Sequence, residues 1–129
     1  MPYNPHADLP APIRERAAKI RLAAFNVDGV MTDGRLGFDA DGIESKQFHV
    51  LDGFGLKMLR DQGITVAIIT ARSSGVVAAR AAELGITEVH QGQKDKLACL
   101  QAIAARLGLS LEQASYMGDD LPDLPAMRA

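Results

Sequence analysis

Short apolar segments that close on polar or acidic residues alternate with stretches of helical spacing, and this alternation restricts the fold more than any other feature. The segments are IRLAAF (20–25), TVAIIT (65–70), ITEVHQG (86–92) and ASYMGDD (114–120). Runs this short suit buried strands. Between and around them, FGLKMLRDQG (54–63), GVVAARAAELG (75–85) and DKLACLQAIAARLG (95–108) place apolar residues at helical spacing and stop at Gly63, Gly85 and Gly108. Ser73 or Ser74 stands where an N-cap is needed. Residues 12–18 are predicted to form a short helix before the first strand, after an irregular proline-bearing lead, and Pro122 to open a last one. RLGFDADGIESKQFHV (35–50) alternates on either side of Asp41-Gly42, a hairpin signal. The expectation is a single α/β domain spanning residues 1–129. It is a doubly wound parallel sheet with helices on both faces and a β-hairpin insertion after the first strand.

Bulk properties exclude some classes of function. A chain of 129 residues suits one hydrophobic core. With a net charge of −2 it lacks the basic surplus of a nucleic-acid binder. No apolar run approaches the roughly 18 residues of a membrane span. The first twenty residues lack the layout of a secretory signal, so a cytoplasmic protein is expected. Cys99 is the single cysteine, which rules out an intrachain disulfide, and its helical context predicts a buried small side chain. The five methionines are too dispersed for a binding stripe and are expected to fill gaps in the core. His6, His49 and His90 are scattered and receive no chemical role.

Chemistry should lie where the strands end, because ligands of open α/β sheets bind at the carboxyl ends of strands. The first strand leads into Asn26-Val27-Asp28-Gly29 and then Thr32-Asp33-Gly34. The second gives Thr70-Ala71-Arg72, and the third leads to Gln91-Gly92-Gln93-Lys94-Asp95-Lys96. The fourth gives Gly118-Asp119-Asp120, with Asp123 beyond. Carboxylates favour a hard, oxygen-seeking cation such as Mg²⁺. A hydroxyl, a lysine and that cation suit phosphate oxygens. The combination points to phosphoryl transfer, where positioning and charge neutralisation do most of the catalysis.

In this order FNVDGVMTDG, IITAR, the lysine of QGQKDKL and GDDLPD resemble the motifs of haloacid dehalogenase-type phosphatases, over about residues 20–127. The finer wording, with FHVLDGFG and ITARS, is similar to a small capless subfamily. The resemblance implies a Rossmann-like sheet, Mg²⁺, a phosphorylated sugar acid of eight or nine carbons as substrate, and a homotetramer formed through the hairpin. It places position 26 as the nucleophile and Asp28 as the general acid/base. It gives Thr70 and Lys96 to the phosphoryl oxygens, and Asn26, the Asp28 main-chain carbonyl and Asp119 to the metal. Asp120 and Asp123 are expected to support that metal site, and Asp52, Gly53, Arg72 and Arg80 match substrate-contacting positions.

The chain departs from the family pattern at specific places. Asn26 stands where the family has aspartate, and an amide has no anionic oxygen with which to attack phosphorus. A variant that binds without turnover is therefore expected, as an alternative to a working hydrolase. Leu51 replaces an expected basic residue. The family continues past the fourth motif with another strand and a tail, so an uncovered sheet edge, an uncovered apolar helix face and reduced stability are expected here.

Overall fold

Strand β1, Leu22–Phe25, is the spine of the molecule in a computed structural model that describes residues 4, 5 and 7–129. It pairs in parallel with β4, Thr65–Ile69, on one side and with β6, Ala114–Met117, on the other. Strand β5, Glu88–His90, adds to the far side of β4, giving the order β5-β4-β1-β6. The chain steps outward from β1 to β4 and β5, then returns across β1 to reach β6. The winding direction therefore reverses beside β1, the place where such sheets open a crevice.

Helices cover both faces, as the alternation predicts. In β4 successive side chains point to opposite faces. Val66 and Ile68 pack with Leu56 of helix α2, Val50–Asp61, and with Val77 and Ala81 of helix α3, Gly75–Glu83. Ala67 and Ile69 join Leu22 and Ala24 of β1 on the other face. There they meet Leu100, Ile103 and Ala104 of helix α4, Lys96–Arg106, and Ala126 of helix α5, Leu124–Arg128. Helix α1, Ala11–Ala18, buries none of its residues. Among the described residues no helix is long and apolar enough to cross a membrane.

The hairpin is smaller than its alternation suggests. Strands β2, Gly37–Phe38, and β3, Glu44–Ser45, pair antiparallel in a sheet of their own. The Asp39 carboxylate accepts the N–H groups of Asp41 and Ile43, each at 2.9 Å, and Gly42 takes the left-handed conformation (φ 76°) that closes the turn. Helix α2 begins at Val50, four residues before its periodicity is visible, because the His49 ring accepts the Leu51 N–H at 3.1 Å and caps it. Ser74, rather than Ser73, caps α3. Pro122 is the second residue of a 3₁₀ turn, Leu121–Asp123, that starts one residue earlier than expected and runs into α5.

Smaller expectations need correction. Met31 is buried, but Met58, Met117 and Met127 are exposed, so the methionines do not chiefly fill the core. Cys99 is only half-buried, against the second core cluster. Pro2 and His6 of the lead lie outside the described residues.

Candidate active site

The carboxyl ends of β1, β4 and β6 open onto one cavity of about 260 Å³. Asn26 follows β1 directly. Its backbone N–H donates to the Met117 carbonyl at 2.9 Å, which extends the β1–β6 pairing by one residue and holds Asn26 beside the end of β6. The buried side-chain amide donates to the Asp28 main-chain carbonyl at 3.1 Å and to Asp119 Oδ1 at 3.3 Å. Turned over, it would set its oxygen against two other oxygens, so the NH₂ must face them.

Asp119 reaches this point because position 29 has no side chain. Gly29 sits at φ 85°, and a Cβ built there would lie 1.7 Å from Asp119 Oδ2. Thr32 Oγ1 accepts the N–H groups of Gly29 and Gly34, fixing the turn that brings Gly34 to the cavity wall. Asp33 is left outside, exposed and paired with Arg35.

The Asp28 carboxylate turns away from Asn26 toward the hairpin. Lys46 Nζ donates to its Oδ1 at 2.5 Å, and Arg72 Nε lies 3.9 Å from its Oδ2. Thr70 extends β4: its N–H donates to the His90 carbonyl and its own carbonyl accepts the Gln93 N–H, both at 3.0 Å, so its buried side chain is fixed at the cavity floor.

Lys96 enters from the other face of the sheet as the first residue of α4, whose N-cap Asp95 accepts the Ala98 N–H at 2.9 Å. Its buried ammonium donates to Asp123 Oδ1 at 2.6 Å. Asp123 is fully buried and also accepts from Tyr116 Oη at 2.8 Å and from the N–H groups of Asp119 and Asp120 at 3.1 and 3.2 Å. Burial by itself would raise the Asp123 carboxyl. The Lys96 ammonium, the Tyr116 hydroxyl and the Asp120 N–H overcome it and hold the group below its ordinary range. Burial and this carboxylate push the Tyr116 phenol well up, so it serves as a fixed donor.

Asn26, Asp28, Thr70, Arg72, Lys96 and Asp119 thus line one cavity, with Asp120 and Asp123 in its wall. Lys94, the nearby competitor of Lys96, is exposed. Asp52, Gly53 and Arg80 are not in the cavity lining. Arg80 packs over the Phe48 ring, pairs with Glu83 at 3.0 Å and leaves no space for a side chain at Gly53.

Among the described residues no three His, Cys, Asp or Glu side chains form a metal-holding group. The oxygens that do converge are the Asp28 main-chain carbonyl and Asp119 Oδ1, both within reach of one amide nitrogen. A turned Asn26 amide would add a third. All are hard donors of the kind Mg²⁺ takes, so the set fits such a cation in type. It carries one negative charge fewer than aspartate at position 26 would give.

The family model of the haloacid dehalogenase-like hydrolases matches residues 55–129. A 3-deoxy-D-manno-octulosonate 8-phosphate phosphatase of Yersinia pestis is 46% identical over 125 residues, covering 97% of this chain and 65% of the relative. The chain belongs to the haloacid dehalogenase-like hydrolases. Solved structures of similar fold include a hypothetical protein from Xanthomonas campestris, with TM-score 0.95, 55% identity, and coverage of 98% of this chain and 69% of that one. Another is a 3-deoxy-D-manno-octulosonate 8-phosphate phosphatase from Moraxella catarrhalis, solved with magnesium, phosphate and the sugar acid. It gives TM-score 0.89 at 48% identity and covers 91% of this chain and 67% of that one. The chain spans 65% of the length of the Yersinia relative.

The sequence reading overlooked Lys46, Glu44 and Tyr116. A signal for the first two existed. Glu44, Lys46 and Phe48 recur at every second position, and all three are less exposed than Ser45 and Gln47 between them. The alternation marked a hairpin, but which face turned inward depended on where the hairpin folds back.

Proposed function

We propose that this chain is the phosphatase domain of an enzyme that hydrolyses a sugar-acid phosphate, 3-deoxy-D-manno-octulosonate 8-phosphate, in lipopolysaccharide synthesis. We further propose that it works in the cytoplasm as a homotetramer, and that Asn26 leaves it able to bind but not to turn over. The reading is carried by the convergence of Asn26, Asp28, Thr70, Lys96 and Asp119 on one cavity from four separate segments. The Yersinia and Moraxella relatives named for this substrate support it.

In the Asn26→Asp form, a carboxylate oxygen at position 26 attacks phosphorus while the bond from phosphorus to the ester oxygen breaks. Asp28 gives its proton to the departing alkoxide, and an aspartyl-phosphate remains. Asp28 then takes a proton from water, whose oxygen attacks phosphorus and releases inorganic phosphate and the free aspartate. Thr70 donates to a phosphoryl oxygen throughout, and Lys96 neutralises charge at its place on the helix N-terminus. Arg72, at the cavity mouth, meets the anionic substrate. Asn26, the Asp28 carbonyl and Asp119 would hold Mg²⁺, which supplies charge stabilisation of the phosphoryl group.

The test is phosphate release from 3-deoxy-D-manno-octulosonate 8-phosphate with Mg²⁺, comparing the chain with its Asn26→Asp form. Release by the aspartate form alone is the expected result. Silence from both overturns the hydrolase reading. Preference of the aspartate form for a nine-carbon sugar-acid phosphate overturns the substrate assignment.

A further inference from the structure

We propose that Lys46 is the positioning residue for the acid/base group Asp28, and that presenting it is a function of the hairpin. The inference rests on the hydrolase reading above and adds a residue to it.

Lys46 follows β3 on an insertion that could have kept a lysine in solvent. Its side chain is instead only 1% exposed. A lysine is almost never buried without a partner, because its ammonium loses the hydration that stabilises its charge. Here Nζ lies 2.5 Å from Asp28 Oδ1 and 2.7 Å from Glu44 Oε1. Arg72 closes the group, with Nη2 at 3.4 Å from Glu44 Oε1 and Nε at 3.9 Å from Asp28 Oδ2. Glu44 Oε1 is buried without an aligned hydrogen bond, so it is held by charge. Two cations and two anions thus balance in a quartet drawn from three segments of the chain.

The arrangement is directional. Glu44 and Lys46 are two residues apart on an extended strand, so both side chains leave the same face. Phe48, two further on, packs against the core cluster formed with α2 and α3 and anchors that face. Lys46 therefore meets Asp28 from a fixed base. Its bond commits Oδ1 and leaves Oδ2 as the oxygen that exchanges a proton with the alkoxide or water. A proton-transfer group works only within hydrogen-bond reach of its target. Displacement by about 1 Å can cost on the order of 100-fold in rate.

The experiment uses the Asn26→Asp chain as parent and measures kcat, KM and thermal midpoint. Lys46→Met should lower kcat by about 10- to 100-fold with KM within about twofold. Lys46→Arg, which keeps the charge, should recover part of kcat. Glu44→Gln combined with Lys46→Met restores the charge balance, so it should recover the thermal midpoint and leave kcat low. A kcat for Lys46→Met within about twofold of the parent overturns the proposal, and so does a kcat that recovers together with the midpoint in the double variant. Phosphate release by the parent separates the two levels: an inactive parent sinks the hydrolase reading and this inference with it, whereas an active parent indifferent to Lys46 sinks this inference alone.

Discussion

Gly29 and Asp123 show how little room single residues have at this site. Gly29 holds a backbone conformation costing other residues about 1–2 kcal/mol, and its missing side chain is the space that Asp119 fills. Gly29→Ala should therefore lower the thermal midpoint by several degrees. In an Asn26→Asp background it should also abolish Mg²⁺ binding by calorimetry; retained binding would show that Asp119 does not need that approach. Asp123→Asn removes the partner of a buried ammonium and should cost about 3–5 kcal/mol in urea unfolding. The added change Lys96→Met should return part of it. Because the Asp123 carboxyl is held below its ordinary value of 3.8, its contribution is complete above that pH and is lost as pH falls through the lower folded-state value. Glu88, lowered from 4.5 to about 2 chiefly by its paired contact with Arg106, behaves in the same sense. The midpoint difference between the parent and Glu88→Gln should be full above about pH 4.5 and gone near pH 2.

Among the elements, α2 presents an outward ridge that its own fold does not use. Val50, Phe54 and Met58 recur every fourth residue and are 78%, 64% and 54% exposed. On the hairpin nearby in sequence, Phe38 and Ile43 are exposed as well. A solvent-facing apolar row of this kind is costly unless another surface meets it. Phe54→Glu with Met58→Glu should shift the protein toward monomer in light scattering without lowering helicity. An unchanged mass for the double variant would overturn self-association through this ridge. The strand and helix order was legible because each apolar run was short and bounded by turn residues. Helix α2's true start was not, because its cap is a histidine, a residue outside the usual capping set. Nor was the inward face of the hairpin, which only contact with Asp28 and the core decides. The outer edge of β6 has no strand partner among the described residues, and Met117 at the end of that strand is exposed.

At the scale of the molecule, the cavity was legible to the extent that its groups follow strands. Asn26, Thr70 and Asp119 could be placed from strand ends alone, since a parallel sheet delivers all such ends to one side. Arg80 and Gly53 could not, because a helix face is chosen by packing, and here Phe48 and Glu83 engage the arginine. Charge at position 26 should set the response of the whole domain to Mg²⁺. The Asn26→Asp form should gain stability with Mg²⁺, about 2.7 kcal/mol at a hundredfold excess over its dissociation constant. The Asn26 chain, whose amide already bridges the Asp28 carbonyl and Asp119, should gain much less; equal gains would sink that view. The cavity's walls are contributed by residues 26 to 123, nearly the whole span from the first strand to the last helix. As the polypeptide leaves the ribosome, Asn26, Asp28 and Thr70 emerge long before Asp119 and Asp123 exist. Lys96 must wait for its counter-ion until β6 has crossed back beside β1. On the proposed function, a nascent chain therefore cannot capture phosphate until synthesis is nearly past this domain, and ligand capture would report that folding is complete.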